Sequence, residues 1–372
     1  MEPQLNKDAP VIIIGAGLCG LRAAALLNTH GIRCIILEAR NRVGGRGLSV
    51  EVEGKPELGK FDLGPTWYWP RYETAMNQLV EELNLQTFEQ FNEGRMLLER
   101  SRNEPPQQYD LSAEAMEYSL RFIGGVRSLI DALVAKIPSE AIYLNTKVTS
   151  IHQENDSRVK IQTDAGNFYA SSVIIALPPR IVEQNIAFFP ELSSELKLNL
   201  KNKPTWMSGQ AKAIAVYDSP FWRDQGLSGF VSSWVGPLRE IHDASPSTGS
   251  GALFGFFGLP ANARLNVGKE QLLELVLEQL TRLFGSAAKH VTGILYKDWS
   301  FDEHTAVAED TAPLLDYPSY GPIIDEKGSL QNIYFAGTET AYRQGGHLEG
   351  ALRSAERVVN EVIKHLFKGN ID

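Results

Sequence analysis

Residues 11–46, VIIIGAGLCGLRAAALLNTHGIRCIILEARNRVGGR, decide the fold. Val11 to Ile14 are apolar without alternation, the pattern of a strand buried on both faces of a parallel sheet. Gly15, Gly17 and Gly20 follow in G-x-G-x-x-G spacing. Gly15 allows the tight turn out of the strand, Gly17 lets a pyrophosphate approach the backbone, and Gly20 lets the next helix pack close to the sheet. The spacing predicts that helix over residues 21–28, with free N–H groups and the positive end of its dipole facing the phosphates. A second strand is expected over 32–37, closed by Glu38. That carboxylate stands eighteen positions after Gly20, where an acidic side chain takes the ribose hydroxyls of an adenine dinucleotide. A glycine-rich helix start has incidental uses too, but strand, helix, strand and terminal Glu together favour the dinucleotide.

Residues 38–46, EARNRVGGR, separate two cofactors. An NAD unit needs neither three arginines nor a glycine pair directly after its ribose carboxylate. FAD lies extended with its pyrophosphate along this loop, so Gly44 and Gly45 give backbone access and Arg46 pairs with phosphate. The alternative is a solvated basic loop. The expected cofactor set from this region is Gly15, Gly17, Gly20, Glu38, Ala39, Arg40, Gly45 and Arg46.

The E-A-R-x-R-x-G-G-R run, the Asp62-Leu63-Gly64-Pro65-Thr66-Trp67 segment and Ile333-Tyr334-Phe335-Ala336-Gly337-Thr338-Glu339-Thr340 together resemble the flavin-containing amine oxidases. The resemblance implies an α/β fold: a Rossmann-like FAD/NAD(P)-binding domain of the two-dinucleotide type, with a second mixed-sheet α+β substrate domain. It implies FAD-dependent oxidation of an amine to an imine and then an aldehyde, with oxygen reduced to peroxide. By the same resemblance Gly64, Pro65, Thr66 and Trp67 run past the flavin ring, and Val148 meets adenine through its backbone. Gly337 and Glu339 serve the ribityl or pyrophosphate side. The helix N-terminus at His347-Leu348 faces the negative charge that reduced flavin carries. Lys212, in QAKAIAVY before Ser219-Pro220-Phe221-Trp222, matches the lysine that holds a water at flavin N5, although a lone strand lysine is more often an edge charge. Trp299 matches a tryptophan packed beside the isoalloxazine; alone it would be core.

Two departures stand out. Covalently flavinylated relatives carry Gly-Gly-Cys-Tyr where this chain has Ala306-Val307-Ala308-Glu309, so the covalent cysteine and one cage tyrosine are missing and a non-covalent flavin is expected. The second cage aromatic is His347, which makes the pocket less apolar. Lys212, Trp299 and His347 are the expected catalytic residues. The carboxylate-binding arginine of amino-acid oxidases falls about where Trp67 stands. Rival readings are a desaturase or L-amino-acid oxidase on the same fold, or a flavin-holding partner protein without turnover.

With 372 residues and 43% apolar content, two domains are the natural expectation. The expected division gives 1–70, 123–180 and 308–372 to FAD and 71–122 with 181–307 to substrate. A net charge of −9 argues against nucleic acid as a partner. Cys19 and Cys34 fit small buried residues better than a disulfide, so a reducing cytoplasm is expected. Residues 1–10 lack a basic leader, the 11–27 apolar run is broken by glycines and Arg22, and the chain stops soon after Leu366. A soluble protein without a membrane span is the expectation. The histidines show no metal spacing. The expected partners are a small amine and molecular oxygen; which amine, and the oligomeric state, are not legible.

Helices are expected over 73–83, 113–122, 126–137, 271–284 and from 348 onward. An antiparallel meander is expected over 142–152, 158–163 and 168–170, with turns at 155–156 and 164–167. Parallel strands should cover 173–177 and 333–336, and substrate-domain strands 212–217, 229–235, 253–259 and 294–299.

Overall fold

The computed structural model describes residues 7–110, 117–154, 158–312, 314, 316–325, 328 and 330–368. Asp8–Ile14 forms the centre of an eight-stranded sheet. On one side it pairs in parallel with Cys34–Leu37, which pairs with Ile142–Tyr143. On the other it pairs in parallel with Gly166–Ile175, from Asp8 opposite Tyr169 to Ile14 opposite Ile175. The helix Leu18–Thr29 follows Gly17, three residues earlier than expected. Gly20 therefore lies inside it, where an added Cβ would stand 1.9 Å from the Gly15 carbonyl oxygen. The close packing assigned to this glycine is a hard steric limit.

Gly166–Ile175 is one ten-residue strand, not the two segments expected over 168–170 and 173–177. Ser171 and Ser172 carry no turn chemistry strong enough to break it. Its first half pairs antiparallel with Val159–Thr163, and Val173 to Ile175 pair in parallel with Ile333–Phe335. One strand thus belongs to the meander and to the parallel sheet at once. Conversely, the strand expected over 142–152 divides into Ile142–Tyr143 and Val148–Gln153. The break follows from Asn145, at φ 50°, and from Asn145 and Thr146 turning their N–H groups onto the carbonyls of Arg40 and Glu38.

Part of the helix expected over 113–122 lies outside the described residues, as does the 155–156 turn. Its end is a strand, Leu120–Phe122, antiparallel to Thr87–Glu89. Phe122 is buried there and stacks on Tyr68 with centroids 5.4 Å apart. Tertiary burial overrides the local helical pattern.

The second sheet has seven strands in the order Gly293–Asp298, Ala211–Tyr217, Gly251–Phe257, Leu238–Asp243, Leu227–Ser233, Arg95–Glu99, Gln107–Asp110. It is mixed: Leu227–Ser233 runs parallel to Arg95–Glu99 and the other pairs are antiparallel. The helix Lys269–Phe284 lays Leu272, Val276, Leu280 and Leu283 on its core. Ala187–Phe189 pairs within the first sheet, and Met76 and Leu79 of the helix Thr74–Glu82 pack into the same core as the last helix.

That last helix, Leu348–Lys368, buries Ala351, Leu352, Ala355, Val358, Val359 and Val362, as its 3.6-residue period requires. Its first turn also serves another helix. Glu349, 2% exposed, accepts from the N–H groups of Ala75 at 3.0 Å and Met76 at 2.8 Å. These are orphan donors at the start of Thr74–Glu82, and Glu73, the residue before that helix, provides no side-chain cap. Glu349→Ala should therefore cost about 1.5–3 kcal/mol, the scale of a charged hydrogen bond lost from burial, measured as a lower midpoint in urea with an unchanged slope.

Candidate active site

A cavity of about 370 Å³ is lined from both sheets and from the start of the last helix. The glycine loop, Glu38, Gly45 and Arg46 contribute to it, as do Gly64 to Trp67, Lys212, Trp299, Gly337, Glu339, His347 and Leu348. Three expected cofactor residues do not line it. Gly20 is packed in its helix, Val148 is buried in the core opposite Thr163, and Ala39 lies outside the lining.

The loop has the shape its sequence implies. Gly44 takes φ 97° and donates its N–H to the Ala16 carbonyl at 2.8 Å, and Gly45 takes φ 55°. A Cβ on Gly17 would meet no atom within 4 Å, so there is open space over the helix N-terminus. Glu38, 4% exposed, accepts from Ala16 N–H at 2.8 Å and Arg40 N–H at 2.9 Å, one on each oxygen. Each oxygen keeps a lone pair for a ribose hydroxyl. The Arg40 guanidinium turns to Asp302 and to Thr305 Oγ1 at 2.9 Å. Arg46 pairs with the buried Glu339 carboxylate at 2.7 Å.

Lys212 is 2% exposed. Its Nζ donates to Thr66 Oγ1 at 2.5 Å and to the Gly64 carbonyl at 3.1 Å, and sits 3.9 Å from the Phe254 ring centroid. Burial pushes this amine down to about 7, against the pull of the Asp62 carboxylate. Trp299 is buried and donates Nε1–H to the Leu63 carbonyl at 3.0 Å. Both residues therefore grip the backbone of the Gly64 segment. At 2% exposure Lys212 is not a solvated charge on a strand edge.

His347 does not stand alone. Trp206 lies nearly parallel to it, with centroids 6.5 Å apart and planes at 20°, and Trp69 lies 5.5 Å away. Tyr317 packs on Trp206 at 4.8 Å. Trp69 and Trp206 thus set aromatic rings beside His347 in the cavity lining. The Glu73 carboxylate, 2% exposed, comes within 3.6 Å of His347 Nδ1. Trp206, Glu73 and Gln210, all cavity-lining, escaped the sequence reading. Gln210 ends the turn just ahead of the Ala211–Tyr217 strand, two residues before Lys212. Trp206 and Glu73 sit in loops with no motif.

The chain matches the family model described as flavin containing amine oxidoreductase over residues 109–363, and an NAD(P)-binding Rossmann-like domain over 13–83. It is 25% identical to a probable flavin-containing monoamine oxidase A of Dictyostelium discoideum, covering 97% of this chain and 99% of that one. It is 24% identical to putrescine oxidase of Kocuria rosea, over 97% and 96%. Cyclohexylamine oxidase from Brevibacterium oxydans superposes with TM-score 0.81 at 20% identity, covering 96% of this chain and 99% of that one. The chain belongs to the flavin-containing amine oxidoreductase family. Its cofactor is FAD, and its reaction is the flavin-dependent oxidation of an amine, with oxygen as the family's acceptor.

The cavity fits that cofactor. It offers open space at Gly17, free lone pairs on Glu38, and a buried acceptor, Gln210 Oε1, that has no partner among the described residues. Also among the described residues, no cluster of His, Cys, Asp and Glu could hold a metal, and no helix is long and apolar enough to cross a membrane.

The depressed Lys212 amine makes stability depend on pH. Between about 7 and the ordinary lysine range the unfolded chain binds a proton that the folded chain does not, so stability rises with pH through that window. The stability of Lys212→Met relative to the parent apoprotein should be most favourable near pH 7 and decline toward pH 10. Paired denaturant curves across that range check it; a constant gap contradicts the burial effect.

Proposed function

We propose that the substrate is a primary or secondary amine without an α-carboxylate, oxidised by FAD held non-covalently. The observation that carries this is that every arginine and lysine lining the cavity is already engaged. Arg40 bonds Asp302 and Thr305, Arg46 bonds Glu339, and Lys212 bonds Thr66 and Gly64. At the position expected for a carboxylate-binding arginine, Trp67 instead faces His242 at 5.1 Å and Phe254 at 5.5 Å. Glu73 adds a buried negative group. A substrate carboxylate in this cavity would lose water without gaining a partner, at a cost of several kcal/mol. The relatives named for putrescine and cyclohexylamine carry substrates of the class proposed here.

Bound FAD supplies the acceptor for the hydride that leaves the carbon next to nitrogen. The glycine loop, Glu38, Arg40, Gly45 and Arg46 are assigned to its adenosine and pyrophosphate, and Gly337 with Glu339 to the ribityl side, whereas Ala39 and Val148, expected beside adenosine, stand outside the cavity lining. Gly64 to Trp67 flank the ring, and the helix N-terminus at Leu348 opposes negative charge there. Trp299 positions that segment through the Leu63 carbonyl. Lys212 holds its buried amine beside it, donating to Gly64 and Thr66. Residues 1–70, 123–180 and 308–372 are assigned to FAD and 71–122 with 181–307 to substrate, apart from Thr74–Glu82 and Ala187–Phe189, which pack on and pair with the first sheet. Support for a cytoplasmic setting comes from Cys19 and Cys34, which are free and buried. Burial pushes the Cys19 thiol, which lines the cavity, up to about 12, far from a reactive thiolate.

A peroxide-coupled screen tests the reading: amines should reduce the flavin faster than the corresponding amino acids do, and the reverse order sinks it. Reduction of the flavin without peroxide release would point to the desaturase alternative, and no reduction by any candidate to a non-catalytic partner. Acid precipitation should leave a colourless pellet and a yellow supernatant; a washed pellet that stays yellow indicates a covalent link. Lys212→Met should keep FAD and near-normal anaerobic reduction while its reaction with oxygen slows about 100- to 1000-fold, the usual loss for one preorganised charge. Stopped-flow traces of both half-reactions decide this.

A further inference from the structure

Alkylamines, like the lysine side chain, carry a proton at neutral pH, whereas a hydride leaves readily only from carbon next to an unprotonated nitrogen, whose lone pair drives it off. Granting the amine reading above, some group must take that proton. Most of the cavity is already committed. Glu38 and Glu339 accept backbone and arginine donors, and Lys212 donates to Thr66 and Gly64. His304 lies beside Thr305 on the Arg40 side, with Nε2 turned to Glu303 at 3.9 Å. His347 differs: Nδ1 faces Glu73 at 3.6 Å, and Nε2 has no partner among the described residues.

We propose that Glu73 and His347 form a proton-accepting pair, with His347 Nε2 taking the proton from the incoming ammonium and Glu73 orienting the ring and balancing its charge. The N–H bond of R–CH₂–NH₃⁺ breaks, its electron pair stays on nitrogen, and the proton forms an N–H bond at Nε2. Nothing is oxidised in this step. The imidazolium then lies against the Glu73 carboxylate, a carboxylate–histidine arrangement that fixes tautomer and orientation. Glu73 is itself held, because its other oxygen accepts the Trp69 N–H at 2.7 Å. Trp69 and Trp206 offer aromatic faces to the ammonium before it gives up its proton. The other charged or titratable groups facing this corner are neutralised or engaged. Arg46 and Glu339 cancel behind Trp206, Glu349 is bonded to Ala75, Met76 and Arg353, and the Tyr317 hydroxyl donates to the Gly345 carbonyl. His347 keeps 24% of its side chain exposed, which gives the proton an exit to water.

The test is anaerobic flavin reduction by the FAD-loaded enzyme from about pH 5.5 to pH 10, with benzylamine and the more basic cyclohexylamine. The acidic limb of the second-order rate should fall at the same pH for both amines. His347→Gln should retain the FAD spectrum but lose about 100-fold or more in rate near pH 7, its limb moving to each amine's own titration. Glu73→Gln should shift the limb to lower pH and Glu73→Asp should largely restore it. An independent readout is the His347 imidazole resonance, which should follow the limb in both forms. A parent limb that tracks the amine, or an unaltered profile in His347→Gln, overturns the pair. If Glu73→Gln raises KM for a diamine alone and leaves the profile intact, the carboxylate holds a distal ammonium and the proposal fails. Absence of reduction by any amine at any pH removes the substrate reading, and this proposal with it.

Discussion

A single buried ion pair holds together segments that are far apart in the chain. Arg46, at the end of the first βαβ unit, meets Glu339 from the last segment at 2.7 Å, and Glu339 is almost fully buried. Burial alone would pull the arginine down, but the carboxylate outweighs it and holds the guanidinium above its ordinary range. The pair reaches further, since Arg46 donates to the Trp206 carbonyl at 3.0 Å and Glu339 accepts the Trp206 N–H at 3.2 Å. Removing one partner of such a pair typically costs about 3–5 kcal/mol, because the other is left buried and uncompensated. Here the loss would also release the loop that carries a cavity wall.

Trp206 shows how that constraint reaches the chemistry. With both backbone polar atoms fixed, its indole is pressed against Gly346, where a Cβ would come within 2.6 Å of the ring. Gly346 also takes φ 82°, so only glycine suits the turn that delivers His347 and the N-terminus of the last helix. The ion pair, the indole, the turn and the histidine form a chain of contacts, each setting the next. Glu73 closes it from the other side, and its own position depends on the Thr74–Glu82 helix that Glu349 caps.

Features built from local geometry were legible in the sequence. The glycine spacing, the strand before it and the carboxylate after it follow from steric and electrostatic rules confined to about thirty residues, and each appears at its expected place. The 3.6-residue period of the last helix accounts for its buried face from Ala351 to Val362. Features that depend on distant partners were not legible. Residues 120–122 carry a helical pattern, yet Thr87–Glu89 and Tyr68 draw them into a strand. The long Gly166–Ile175 strand reads locally as two segments because nothing in its own residues reveals that two different neighbours share its edge. The Gly64 segment, Lys212 and Trp299 were found through motifs, but their mutual grip was not. Trp206 and Glu73 became visible only once four segments met.

The grip on residues 63–66 bears on how this protein could be recombined. The carbonyls of Leu63 and Gly64 and the Thr66 hydroxyl belong to the chain leaving the first βαβ unit, yet the side chains that fix them come from the Ala211–Tyr217 strand and the turn after Gly293–Asp298. The two sheets are therefore not interchangeable modules. A chimaera that took its second sheet from a relative would import a lysine and a tryptophan aimed at another backbone. The wall assigned to the flavin ring would shift even with every cofactor-binding residue of the first unit untouched. Viable exchanges must carry residues 63–66 together with the strands that hold them.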